Sequence, residues 1–434
     1  MDRKQVTDPN EICVVGLGYV GLPLAVEFWR SGHDVVGFDV DPEKIETLHE
    51  GRDPTGDVGD EAIQSCDIEF TADETVIERA EYVLIAVPTP VDDLKNPDLK
   101  YVESAGEMVG RNITEGTTVV LESTVYPGAT REKLAPALED ASGLTVGEDV
   151  FIGYSPERMV PGDEEHGLRD VMKIVSGQNE EVLEDVASLY ETIVDAGVHR
   201  ASDIEVAEAA KCIENIQRDL NIALMNELAV ACDKLDLDTQ SVLDAAGTKW
   251  NFHNYQPGLV GGHCIPVDPF FMIYELERNG FTPQLIEGAR EVNEYVPHHI
   301  AELVLQGLNE CGKVPKESSI LVLGLSYKPE VGDVRTSSVN GTISKLESFD
   351  AEVVGYDPHA EPNEVRDEFD IDIQQELSVE NFDAIVLATP HQSLLEFDYT
   401  TATSVMNENP LIVDVDGALD RESLDKCGFE YVRL

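Results

Sequence analysis

Apolar runs that stop at turn residues alternate with stretches of helical spacing over the first third of the chain. Runs at 12–15, 34–38, 82–87, 118–121 and 150–154 are mostly apolar, without polar alternation after their first residue, and bounded by glycine, proline or polar clusters, the pattern of strands buried on both faces. A helical pattern follows the first run through Arg30. From Asp203 to about Leu235 the spacing is helical without proline or glycine, and at about 1.5 Å per residue such a helix nears 50 Å, suited to linking two domains. Residues 283–311 read as one or two more helices, broken near Pro297. Runs at 319–323, 351–356, 384–388 and 411–415 then resume the strand pattern, and residues 333–338 open a helix. The order predicts an α/β protein: two doubly wound, parallel-sheet domains of Rossmann type joined by a helical middle. The divisions expected are 1–200, 201–312 and 313–434.

Charge changes the picture next. The 434 residues include 86 acidic and 30 basic side chains, a net charge of −56, and the acids are spread along the chain rather than gathered in a tail. With 42 % hydrophobic residues, disorder is not expected. An acidic surface of this kind keeps a protein soluble in high salt, where self-repulsion is screened within a few ångströms. It argues for a halophilic setting and against nucleic acid or an anionic membrane as partner. The seven cysteines are scattered and never in C-x-x-C spacing, which fits a reducing compartment. The charged stretch 1–11 and the lack of a long apolar run predict neither signal peptide nor membrane span, hence the cytoplasm.

Three motifs carry the chemistry. The run 12–15 leads into Gly16-Leu17-Gly18-Tyr19-Val20-Gly21, and the second run ends at Asp39, roughly 20 residues on. This is a dinucleotide fingerprint in context: glycines for the tight turn and phosphate approach, a helix N-terminus for the charge, an acid for the ribose hydroxyls. The acid would repel a 2′-phosphate, so NAD is the expected cofactor. Thr89, Ser123, Thr124 and Glu157 follow other predicted strands and would face the same cleft.

On the predicted long helix Lys211 and Asn215 are one turn apart on one face, beside Ala209, Ala210, Cys212 and Ile213. Farther on, Cys264 lies in a glycine-rich stretch, Pro257 through Pro269. Asp268-Pro269 reads as the cap and first residue of a helix over 270–277, which would set Cys264 near a positive helix end and favour its thiolate. The same residues also fit a small buried thiol and an ordinary cap. Lys328 and Arg335, at the mouth of the second predicted sheet, suggest an anionic ligand there. No further ligand accompanies the crowded His263, Cys264 and Asp268 at a recognised spacing, so no metal is expected, and His253, His359 and His391 read as loop histidines.

Together these residues resemble the nucleotide-sugar 6-dehydrogenases, over about residues 11 to 420. The motifs are Gly-Leu-Gly-Tyr-Val-Gly-Leu-Pro-Leu-Ala from Gly16, Val-Pro-Thr-Pro from Val87, Glu-Ser-Thr-Val-Tyr-Pro-Gly from Glu122, Lys211-x3-Asn215, and Gly-Gly-His-Cys-x3-Asp-Pro from Gly261. Tyr154 to Asp163, Gln217 to Glu227 and Lys249 to Phe252 look most like the UDP-N-acetylhexosamine branch. Where UDP-glucose members often carry Asp-x-Arg, this chain has Asp414-Val415-Asp416-Gly417, which weighs against UDP-glucose.

The resemblance implies an NAD-dependent, four-electron oxidation of a C6 hydroxymethyl to the carboxylate. Cys264 would form a thiohemiacetal and then a thioester, assisted by Lys211, Asn215, Asp268 and Glu157. It implies cofactor contacts from Gly16, Gly18, Tyr19, Val20, Gly21, Asp39, Lys44, Thr89, Ser123, Thr124 and Arg335. For the UDP-sugar it implies Glu157, Arg158, Lys211, Asn215, Tyr255, Gly258, Gly261 and Lys328. It further implies a homodimer or larger homo-oligomer through the central helices, and a place in polysaccharide or glycan synthesis.

Overall fold

The structure is a computed structural model that describes residues 11–159 and 167–434. Residues 1–10 and 160–166, which include the charged N-terminal stretch and Pro161 to Asp163 of a quoted motif, lie outside the described residues. The chain forms two compact units, Met1–Glu214 with Phe270–Thr282, and Asn215–Pro269 with Pro283–Leu434.

The first unit is built on β1 (Glu11–Val15), β2 (Asp34–Phe38), β3 (Glu69–Thr71), β4 (Tyr82–Ile85), β5 (Thr118–Leu121), β6 (Phe151–Tyr154), β7 (Lys173–Gly177) and β8 (Val198–Arg200). Their order is β3-β2-β1-β4-β5-β6-β7-β8. The five predicted runs became β1, β2, β4, β5 and β6, all parallel as their two-sided burial requires. The sheet is not wholly parallel, however: β7 runs against β6, with Tyr154 opposite Ser176, and β8 follows β7 in parallel. Strands β3 and β8 span only three residues each, too short to leave a periodic trace. Helices cover both faces, and Leu22, Phe28, Leu84, Val120, Val186 and Tyr190 share one core.

The second unit carries a wholly parallel sheet of β9 (Ser319–Leu323), β10 (Glu352–Tyr356), β11 (Asp372–Ile373), β12 (Ala384–Leu387), β13 (Leu411–Asp414) and β14 (Glu430–Arg433), in the order β11-β10-β9-β12-β13-β14. The helix expected from Asp333 starts at Val339 instead. Asp333 turns the chain by accepting the Arg335 amide at 3.0 Å, and Thr336 then adopts a left-handed φ of 57°, which no helix tolerates.

Two long helices complete the chain. Ile204–Lys234 is continuous over 31 residues, as expected. Gln284–Glu310 is also continuous and is not broken at Pro297. Proline removes one helical bond, but here the ring is buried against Gly341, and the Pro297 carbonyl accepts the Thr342 hydroxyl at 3.0 Å. Val296, Ile300, Val304 and Leu308 of this helix share a core with Ile320, Val322, Leu411 and Val413 of the sheet, and that packing overrides the local break.

Candidate active site

In the first unit the glycine loop is shaped by close backbone approach. Gly16 has φ of 91°, and a Cβ there would lie 2.6 Å from the Ala86 carbonyl oxygen; at Gly21 it would lie 1.8 Å from the oxygen of Gly16. Gly18 faces open space instead, with nothing within 4 Å of a Cβ. That opening adjoins the start of helix Gly21–Ser31, whose first turn carries no acid in a chain rich in them, as a phosphate requires. Tyr19 is exposed and Val20 half-buried beside it. Asp39 is buried at the end of β2, where its carboxylate accepts the Leu17 amide at 2.8 Å and Lys44 Nζ at 2.7 Å. The loop, its open side and this acid fit a dinucleotide.

The strand ends of the same sheet hold the other predicted residues. Thr89 and Thr124 are half-buried. Ser123 is buried and donates to the Val87 carbonyl at 2.6 Å, tying the ends of β4 and β5 together. After β6, Glu157 Oε1 accepts the amides of Arg158 and Met159 at 2.6 and 2.7 Å, while Oε2 accepts Lys173 Nζ at 3.0 Å. Burial would raise this carboxyl, but the Lys173 charge and those hydrogen bonds outweigh it and hold Glu157 below the usual range. Arg158 pairs with Glu214 at 2.7 Å, on the same turn of the long helix as Lys211. Lys211 itself is 8 % exposed. One turn earlier, buried Glu208 accepts Gly128 N, Thr130 N and Thr130 Oγ1 at 2.5, 2.9 and 2.6 Å; burial, only partly offset by these bonds, pushes it up to about 7.

In the second unit the thiol loop departs from the expected cap. Asp268 is not the cap but the first residue of helix Asp268–Arg278, preceded by a turn; its amide and that of Val267 both donate to the Cys264 carbonyl, at 2.9 and 3.1 Å. Cys264 therefore lies one turn ahead of the helix, its carbonyl accepting the first helical amide, and so sits near the positive end. Pro266 falls in that turn and Pro269 is the second helical residue, where an amide hydrogen has little use. Cys264 is exposed, whereas Cys13, Cys212 and Cys232 are buried. The buried Asp268 carboxylate accepts Asn215 Nδ2 at 2.5 Å, joining two predicted catalytic residues.

The rest of the loop is held on both sides. Gly258 gives its amide to Asn226 Oδ1 at 2.8 Å, and its carbonyl accepts Asn226 Nδ2 at 3.1 Å. Gly261 and Gly262 lie against Tyr327, where a Cβ would approach that side chain to 3.0 and 2.8 Å. His263 meets Asp333 at 3.0 Å, and Asp333 also binds Arg335 at 2.8 Å. Burial would raise Asp333, yet these two partners keep it far below the ordinary carboxylate range. Tyr255 accepts from Gln217 at 3.0 Å, and Lys328 is half-buried next to Tyr327. Arg335, grouped above with the cofactor contacts, thus belongs to the second unit and faces Asp333.

His359 and His391 are more than loop histidines. With Glu330 they bring three donor atoms within 4.8 Å of one another. His391 is fully buried, and both its nitrogens are engaged: Nδ1 accepts the Glu330 amide at 3.0 Å and Nε2 meets Asp357 at 3.1 Å. That geometry ties the loops after β9, β10 and β12 together and leaves His391 no lone pair for an ion. Among the described residues no helix is long and apolar enough to cross a membrane.

Reasoning from sequence missed Lys173, Asn226 and Asp333. Lys173, a lone cation opening an otherwise apolar strand, was the only one with a local signal.

Three consecutive parts of the chain match the UDP-glucose/GDP-mannose dehydrogenase family: its NAD binding domain over residues 10–194, its central domain over 205–295 and its UDP binding domain over 321–421. The chain belongs to this family. As a member it is an oxidoreductase that uses NAD. Protein CapL of Staphylococcus aureus is 44 % identical over 418 residues, covering 96 % of this chain and 98 % of that protein. The UDP-N-acetyl-D-glucosamine 6-dehydrogenase of Salmonella typhi is 39 % identical over 419 residues, with 96 % and 98 % covered. Among solved structures of the family, the UDP-D-ManNAc dehydrogenase of Pyrococcus horikoshii superposes with a TM-score of 0.87 at 30 % identity, over 98 % of each chain.

Proposed function

We propose that this enzyme oxidises the C6 hydroxymethyl of a UDP-N-acetylhexosamine, UDP-GlcNAc or UDP-ManNAc, to the uronic acid. The observation that carries the chemistry is the exposed Cys264 at a helix start, with Asn215 hydrogen-bonded to Asp268 in that helix's first turn. The substrate class is supported by the activity named for the Salmonella relative and by motifs 154–163 and 217–227. NAD, when bound, takes up a hydride in each of the two oxidations.

The chain's own residues do the rest. Lys211 and Asn215 hold the C6 oxygen, and Asp268 with its water removes the hydroxyl proton. The Cys264 thiolate, favoured by the helix end, adds to the aldehyde carbon and keeps this reactive species bound as a thiohemiacetal. Oxidation converts that adduct to a thioester. Glu157 and Asp268 then position the water that releases the acid. Gly16, Gly18, Tyr19, Val20, Gly21, Asp39, Lys44, Thr89, Ser123, Thr124 and Arg335 serve the cofactor. Arg158, Tyr255, Gly258, Gly261 and Lys328 serve the nucleotide sugar.

The same reading divides the chain at about 200 and 312 into cofactor, central and UDP-sugar domains, and places the enzyme in the cytoplasm in high salt, feeding polysaccharide or glycan synthesis. It also makes the protein a homodimer or larger homo-oligomer. Exposed Ile213, Leu224 and Leu228 form a stripe on the long helix suited to a second copy.

Counting NADH per UDP-sugar, run to completion in molar KCl, tests the reading. From the wild type, two equivalents from an N-acetylated sugar and poor use of UDP-glucose are expected, and from the Cys264→Ala variant at most one, since the first oxidation precedes thiol capture. One equivalent from the wild type, or its clear preference for UDP-glucose, would overturn it.

A further inference from the structure

Lys173 is 2 % exposed, and its ammonium stands between two carboxylates, 2.8 Å from Glu122 Oε2 and 3.0 Å from Glu157 Oε2. The other oxygen of Glu122 accepts the Tyr190 hydroxyl, and the Tyr190 ring lies 5.6 Å from the ammonium. The strand reversal puts the lysine there. Continuing the antiparallel register of Tyr154 with Ser176 sets residue 173 opposite residue 157, so the start of β7 lies at the rim where β6 and the strands parallel to β6 end. Stability alone does not account for such a group, since apolar residues of similar volume generally serve a buried site as well or better than an ion pair.

We propose that Lys173 is a positioning residue for thioester hydrolysis, holding the Glu157 carboxylate ionised and in one orientation to receive a proton from the attacking water. This rests on the reading above that Glu157 serves hydrolysis of a Cys264 thioester. In that step the water oxygen bonds to the acyl carbon, the carbon–sulfur bond breaks, Cys264 leaves as thiolate, and the water proton passes to Glu157. Three acceptor positions of Glu157 are filled by Arg158 N, Met159 N and Lys173, which fixes the carboxylate plane and leaves a lone pair for water. The charged and titratable groups around it are Glu122 just after β5, Lys173 from β7 and Tyr190 from helix Glu180–Tyr190, with Arg158 turned to Glu214. Burial and the neighbouring Glu157 raise Glu122 while Glu157 is held low, so an added proton goes to Glu122 first.

The test follows decay of the acyl-enzyme by intact mass in single turnover with NAD and UDP-GlcNAc, from about pH 5 to about pH 9. Lys173→Met should move the acid limb of that decay upward by about one pH unit or more, roughly tenfold slower on the limb, while Lys173→Arg restores the wild-type limb. Should Lys173→Met fail to fold, Lys173→Met with Glu122→Leu leaves no orphaned carboxylate at 122 and should shift the limb the same way. A wild-type limb in the folded variant overturns the proposal. Undiminished decay in Glu157→Gln removes Glu157 from the step and the proposal with it, and absence of any acyl-enzyme in all variants refutes the thioester reading itself.

Discussion

Replacing Asn226 with alanine should loosen the Gly258 loop and little else. Asn226 is fully buried; its amide closes a two-bond clamp on Gly258, at 2.8 and 3.1 Å, and also donates to Asn293 Oδ1 at 2.8 Å. Alanine orphans a buried N–H and a buried C=O of Gly258, and outside the loop it also removes the donor to Asn293 Oδ1. At about 1–3 kcal/mol for each such group, and with some rescue by water, the loop should lose about 3 kcal/mol of local stability. A loss of that size is about a hundredfold in the local opening equilibrium. Hydrogen exchange read by mass spectrometry on a peptide spanning 255–262 should therefore quicken about a hundredfold, with strands β9 to β13 unchanged. Steady-state kinetics should show a raised KM for the nucleotide sugar and an unaltered KM for NAD. Unchanged exchange in that peptide would refute the clamp. Uniform loss of protection across the sheet would show that Asn226 holds the fold rather than the loop.

Two further outcomes follow from buried groups outside the thiol loop. A glutamate titrates near 4.3 when unfolded, whereas Glu208 in the folded chain keeps its proton to about 7. The folded state then binds more protons between those values, so Glu208 makes stability fall as pH rises through that window and level off above it. Glu208→Gln keeps one acceptor oxygen, enough for Thr130 N and Oγ1, and gives up the bond to Gly128 N at a cost that does not vary with pH; it removes the slope, so denaturation midpoints at constant salt should show the wild type losing about 3 kcal/mol relative to the variant between about pH 5 and about pH 8. Gly341→Ala would bring a methyl to 2.8 Å from Pro297 Cβ and should cost about 1–3 kcal/mol by overpacking, seen as a lowered melting temperature; an unchanged one would refute the account of how the helix passes Pro297.

How much of this was legible in the residues depended on range. The glycine loop and Asp39 are local patterns, and the structure sets them where a fingerprint should be. Asp219 and Asn226, both within the motif 217–227, were visible only as marks of resemblance. Their work is structural: Asp219 pairs with Arg290 at 2.5 Å and accepts Asn293 at 2.8 Å, and Asn293 in turn meets Asn226 at the Gly258 clamp. Those partners lie about seventy residues away along the chain, beyond any periodicity. The reversal of β7 was hidden for a related reason: a five-residue strand carries no sign of its direction relative to a neighbour, and only its pairing with β6 sets its sense. Asp268 was misplaced because Asp-Pro imitates a cap, while the turn that pre-empts it is set by the Cys264 carbonyl.

The proline in helix Gln284–Glu310 bears on how the chain can be cut. That helix stays whole because residues 341 and 342 close over Pro297, and because its apolar stripe is finished by strands that come later. A fragment ending at Gly312 would present Val296, Ile300, Val304 and Leu308 to water and free the helix to part at Pro297. The helical middle is thus not autonomous: during synthesis its last helix must wait for the sheet behind it, and an excised piece that includes this helix needs the chain through at least β13 to be soluble.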